Sequence, residues 1–310
     1  MYFPYLRARQ FELITLRDLV SEGALQGKVI PVIEPVKESF NNLNLAHKTF
    51  LEKDFSLYLI VNPFEGDVSG DTNYFIDYIN NIEDSKYLPA FHYFDNQAYI
   101  SSKIEENELK NCMIICLDNF SNEDGFRNLC QNPNISHIML LEPHKYRSLD
   151  GFIKGLDKFY IRLDAPFEKE QRNADFLNIP PHKFTEEHLF YSGDRYKGFA
   201  DFTVLPREFI DGGSTPRAVV IHLTYLNEQN ERQIWIRHFT SETNDSISNV
   251  QGKFAEAAEK AIRFCAELPL DNSAITELRN YYNDHKYPGL GTVKKISIKN
   301  HLLIIRSFLD

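Results

Sequence analysis

Charged and amide residues recur where short apolar runs of this chain end. Arg7 ends YFPYLR, Glu34 ends the apolar part of KVIPVIEP and Asn62 that of LYLIVNP, while Asp95 ends YLPAFHYFD. Asp118, Glu142, Asp164 and Asp201 follow in CMIICLDN, HIMLLEP, FYIRLDAP and FADFTVLP. Carboxylates gathered in one half-buried mouth repel each other, so they must take up protons, pair with cations or bind a metal. Oxygen ligands of this kind suit magnesium or manganese, which would activate water or hold a phosphate. A glutamate of raised pKa would instead serve as a general acid. The catalytic candidates are Glu34, Asp164 and Lys37. The ligand-binding candidates are Arg7, Asn62, His92, Asp118, Glu142, Arg195 and Asp201. No metal-ligand set is assigned. The same residue types also cap helices and satisfy loop amides. Ion pairs such as Arg7 with Glu34, or Lys37 with Asp164, are a further structural outcome.

Other chemistry is harder to place. His92, in FHYFD, has the position to point inward from a strand. His222 and His238 lie in IHLTY and IRHF, at offsets that make them cross-strand neighbours if those runs pair. No H-E-x-x-H or C-x-x-C pattern supports zinc, no G-x-S-x-G supports a nucleophile elbow, and no G-x-x-x-x-G-K-S/T loop is present. GDRYKGFADF places Arg195 and Lys197 in a Gly-flanked loop that would hold a phosphate or carboxylate. A solvated loop is the plainer reading.

The apolar runs 2–7, 28–35, 57–63, 87–95, 112–119, 137–143 and 159–166 alternate with segments of helical periodicity. RQFELITLRDLVSEGAL and NLNLAHKTFLEKDF are the clearest helices, and SSKIEENELKN reads as one capped by serine. Alternating β and α pieces require parallel pairing with crossovers. The predicted fold is α/β, a (β/α)8 TIM-barrel-like architecture, whose functional end is the carboxyl end of its strands. An open doubly wound sheet would need a Gly-rich phosphate loop after the first strand, and LRARQ has no glycine.

After residue 166 the pattern changes. FEKEQRNADFLNIPPHKFTEEHLFYSG reads as a long helix-like crossover. Residues 199–205 are the preferred eighth strand, with 218–226 and 233–239 as an appended hairpin turning at NEQNER; the alternative puts AVVIHLTY in the barrel. Three helices follow. The expected organisation is a barrel over 1–206 and a hairpin and helical extension over 207–310, packed as one compact unit.

The 310 residues can bury a sizeable core, and the net charge of −10 disfavours direct nucleic-acid binding. Cys112 and Cys116 share a strand face but stand about 13 Å apart, too far for a disulfide, so buried reduced thiols are expected. No secretory leader opens the sequence and no run approaches about 18 apolar residues, so a cytoplasmic, non-membrane protein is the expectation.

YLRARQFELITLRDL with KVIPVIEPVK, and GFADFTVLP with AVVIHLTY and IWIRHFTS, resemble the bacterial and phage "beta protein" family. The resemblance spans most of the chain and rests on structural phrases, so no residue inherits a role from it. It implies a barrel-like protein acting with a nuclease-like partner in anti-phage defence or mobile-element conflict. Two functions are therefore expected in competition. One is a binding or sensor component that takes a small molecule or peptide at the barrel mouth and contacts a protein partner. The other is a metal-assisted hydrolase of a phosphoester, using the acidic mouth.

Overall fold

The computed structural model describes residues 1–310 except 68–70, 118–119, 211, 213–216 and 310. By contacts the chain forms two compact units. The first comprises Met1–Leu13, Arg17–Ala165 and Glu187–Phe202; the second comprises Ile14–Leu16, Pro166–Glu186 and Thr203–Asp310.

The first unit is a nearly closed parallel sheet alternating with helices. Its strands are β1 (Tyr5–Leu6), β2 (Val32–Ile33), β3 (Leu57–Ile60), β4 (Tyr87–His92), β5 (Cys112–Cys116), β6 (Ile135–Leu141), β7 (Phe159–Leu163) and β9 (Gly198–Ala200). Each is hydrogen-bonded to the next in that order, and every pair is parallel. A parallel bridge from Tyr2 to Phe199, with Phe3 N–H donating to Phe199 O and Tyr5 N–H to Asp201 O, draws the last strand to the first. The (β/α)8-type architecture is thus realised, with Gly198–Ala200 as the eighth barrel strand. Gly198 is needed there: a Cβ would lie 2.7 Å from the Phe3 ring.

Side chains two apart on each strand share a face. The barrel interior is filled by such pairs: Phe3 and Tyr5, Tyr58 and Ile60, Met113 and Ile115, Met139 and Leu141, Ile161 and Leu163, Ala200 and Phe202. Val32 and Ala90 join them. This parity decides where the strand-end residues go. Arg7, Glu34, Asn62 and His92 continue the inward series of β1, β2, β3 and β4. Glu142, Asp164 and Asp201 stand one residue out of step with it.

The outer helices are α1 (Gln10–Ser21), α2 (Asn41–Glu52), α3 (Thr72–Asn81), α4 (Gln97–Glu106), α5 (Glu123–Gln131), α6 (Arg147–Ile153) and the short α7 (Glu187–Phe190). The fourth begins four residues before its expected serine cap, with Asn96 at its N-terminus.

In the second unit, the stretch expected to be helical after residue 166 is a 3-10 helix (Asn173–Asn178) and then β8 (His182–Thr185). Pro180 and Pro181 interrupt any helix there. β8 pairs antiparallel with β11 (Gln233–Thr240), which pairs antiparallel with β10 (Val220–Asn227). The hairpin and the His222–His238 pairing are as expected. Helices α8 (Val250–Glu267), α9 (Ser273–Asn283) and α10 (Leu290–Ser307) follow. Their apolar faces build a core with the sheet through Ile221, Leu223, Phe239, Phe254, Ala261 and Ile296. Among the described residues, no helix is long and apolar enough to cross a membrane.

Candidate functional site

The inward-facing strand ends meet at the C-terminal mouth of the barrel. Glu34, 1% exposed, is at the centre. Its Oε2 accepts the Tyr5 hydroxyl at 2.7 Å and lies 3.2 Å from Arg7 Nη1. Its Oε1 accepts the Phe64 N–H at 2.9 Å and lies 3.4 Å from His92 Nε2. The Tyr5 oxygen also stands 2.9 Å from His92 Nε2. With the tyrosine proton given to Glu34, that oxygen accepts from the imidazole, which places a proton on Nε2. The Arg7 guanidinium carbon stands 4.7 Å from the centroid of the Tyr5 ring and 5.5 Å from that of Phe202.

Burial would raise the pKa of Glu34. The hydrogen bond and charge of His92, the charge of Arg7 and the Tyr5 hydroxyl outweigh it and hold the carboxyl at about 2. Glu34 is therefore a permanent anion at neutral pH and cannot be the raised-pKa acid considered from sequence. The Tyr5 hydroxyl shifts the other way: burial and the adjacent Glu34 charge push it well above the ordinary tyrosine value.

Support for the cluster comes from local backbone demands. Asn62 Nδ2 donates to His92 O at 2.9 Å and its Oδ1 accepts the His92 N–H at 2.8 Å. The carboxamide thereby extends the β3–β4 ladder by one rung past the end of β3. Arg7 N–H donates to the buried Glu12 carboxylate at 2.6 Å, which ties the end of β1 to the start of α1. Phe64, whose N–H bonds Glu34, has its ring 65% exposed, and Phe94 has its ring 46% exposed, with the two centroids 6.1 Å apart and edge to face. Each follows the end of its strand by a few residues, β3 for Phe64 and β4 for Phe94.

The remaining candidates are placed elsewhere. Glu142, in left-handed backbone at φ 45°, pairs with Lys145 at 2.6 Å. Asp164 takes Arg162 Nε at 2.7 Å, and Arg162 also reaches Glu187 at 3.2 Å. Burial raises the pKa of Asp164, with the nearby Glu142 charge adding to it and Arg162 opposing it. Asp201 accepts the Tyr2 hydroxyl at 2.5 Å. Asp95 accepts from Ser121 and Asn122 main-chain N–H groups and ties the loop after β5 to that after β4. Lys37 pairs with Asp67 at 3.4 Å, not with Asp164. Arg195 is exposed on a turn at φ 65°. Asp118 lies outside the described residues.

Of the catalytic candidates, then, Glu34, Asp164 and Lys37 are not brought together. Among the described residues no group of three or more His, Cys, Asp or Glu side chains is arranged to hold a metal ion. The four cysteines are buried and free, as expected. Sequence reading missed Tyr5 and Phe64. Tyr5 has the same strand parity as Arg7, and that signal was legible; the Phe64 contact is a main-chain N–H, for which sequence carries none.

No family model, no curated protein and no solved structure matches this chain.

Proposed function

We propose that this protein is a binding or sensor component whose barrel mouth takes a small molecule or peptide and which acts with a protein partner. The observation that carries this reading is the commitment of Glu34. Its two oxygens are engaged by Tyr5, Arg7, His92 and the Phe64 N–H, and the carboxyl stays ionised. Such a group orients its neighbours and has no proton to give. The exposed Phe64 and Phe94 rings offer the apolar contact, and the polar groups around Glu34 offer orientation. The metal-assisted hydrolase reading is weaker, because the described carboxylates are dispersed among separate partners. The family resemblance supplies the biological setting, a conflict between bacteria and phages or mobile elements with a nuclease-like partner.

Turnover by the purified chain decides the matter. Incubated with p-nitrophenyl phosphate and its bis-ester, with magnesium or manganese, the protein is expected to release no product above background. Release that disappears in Glu34→Ala or Asp164→Ala would overturn the binding reading and restore the hydrolase.

A further inference from the structure

The second unit holds a cavity of about 370 Å³ between the run 177–181 and the end of β11. Leu177, Ile179, Pro180 and Phe239 give it apolar walls, and Arg237 and Lys260 give it two cations. The cations converge because of where α8 packs. Lys260 and Phe264 are one turn apart on that helix, hence on one face. The Arg237 guanidinium lies over the Phe264 ring at 4.8 Å and the Phe239 ring at 5.3 Å. Stacking holds the fork in place while leaving its N–H donors for another group. Among the described residues, no carboxylate forms an ion pair with Arg237.

Lys260 is held differently. Its Nζ donates to Thr240 O at 3.1 Å and pairs with Glu242 at 3.0 Å. Glu242 is 77% exposed, so this ion pair is a weak, water-screened one that an incoming anion can displace. Among the described residues the cavity therefore contains one fixed cation with no carboxylate in ion-pair contact and a second whose ion-pair partner is exposed, with Glu256 also near enough to feel the Lys260 charge.

We infer that this cavity binds a small organic oxyanion, a carboxylate or phosphoryl head carried on a compact apolar body, with Arg237 and Lys260 on the head and the proline–leucine wall on the body. Its volume is that of a small-molecule site. The inference does not depend on the barrel mouth, and none of its residues contributes there.

The test is a calorimetric or NMR titration of the full chain with phenyl phosphate, phenylacetate and benzyl alcohol. At least one of the anions should bind saturably, and benzyl alcohol roughly tenfold more weakly or worse. Which anion binds tighter assigns the head group. Arg237→Gln and Lys260→Met should each weaken the anion about tenfold, with thermal unfolding checking that the fold persists. Glu242→Gln removes the competing carboxylate and should tighten binding several-fold, an effect that damage to the fold cannot imitate. Equal binding of benzyl alcohol, no saturation by either anion, or indifference to both Arg237→Gln and Glu242→Gln would overturn the inference.

Discussion

The side-chain amide of Asn62, two residues past the end of β3, bonds both main-chain groups of His92 on β4, at 2.8 and 2.9 Å. The imidazole that meets Glu34 is thus aimed by backbone it shares with β3, not by a loop free to drift. Asn62→Leu keeps the size but removes both bonds, leaving the buried His92 N–H unpaired and its C=O with only the Asn96 amide, at 3.3 Å. It should cost about 2 kcal/mol or more of stability, read as the free energy of urea unfolding. A change under about 0.5 kcal/mol would mean that the amide is not what holds His92.

Glu34 and Arg7 form a buried ion pair, with side chains 1% and 12% exposed. Glu34→Gln removes the buried carboxylate charge beside the guanidinium, and a loss of roughly 3 kcal/mol is expected. The double variant Arg7→Met/Glu34→Gln removes both charges and should recover part of that loss. A double variant as unstable as the sum of its single changes would show that the two side chains do not interact.

The carboxyl of Glu34 titrates at about 2 when folded, against 4.5 ordinarily. Between those values the unfolded chain binds a proton that the folded chain does not. The stabilisation is therefore complete above pH 4.5 and is lost as pH falls towards 2. Denaturation curves of the native protein and Glu34→Gln should draw closer over that interval. A gap independent of pH would show that Glu34 is not the titrating group.

His137 lies inside the opposite end of the barrel, its Nδ1 2.8 Å from the Tyr58 hydroxyl and its ring stacked on Phe159. Burial, and secondarily the charge of Lys197, lowers its pKa to about 4. A folded value below the ordinary 6.5 means that the unfolded state binds more protons between them. Stability falls as pH drops from 6.5 towards 4 and levels off below. Proton NMR should show this imidazole titrating near 4; a midpoint near 6.5 would contradict the half-buried, neutral ring.

Phe64 and Phe94 present their rings to solvent, so Phe64→Ser and Phe94→Ser should change unfolding free energy by no more than about 0.5 kcal/mol. A loss above 2 kcal/mol in either would make the pair a packing element and remove the mouth's apolar contact from the binding proposal.

Much of this arrangement is local in origin. Each apolar run ends in a residue able to hydrogen-bond or carry charge, and period-two alternation assigns inward and outward faces without reference to any other strand. Alternation separates Arg7, Glu34, Asn62 and His92 from Glu142, Asp164 and Asp201, and it would have admitted Tyr5. The hairpin with His222 opposite His238 is similarly local, since few residues lie between its strands. The sequence alone thus determined the barrel-type fold and the strand ends at which polar residues gather, while the split between inward and outward strand ends, although legible in the alternation, was not drawn from it. Partner choice was decided by the tertiary structure. Residues 5, 7, 34, 64 and 92 meet because closing a sheet of parallel strands brings distant strand ends within hydrogen-bond reach, a long-range condition that no window of sequence contains. The same holds for β8, which reads locally as part of a crossover and becomes a strand by pairing with β11. It holds for Arg237 and Lys260, whose shared cavity exists only because α8 packs against the sheet.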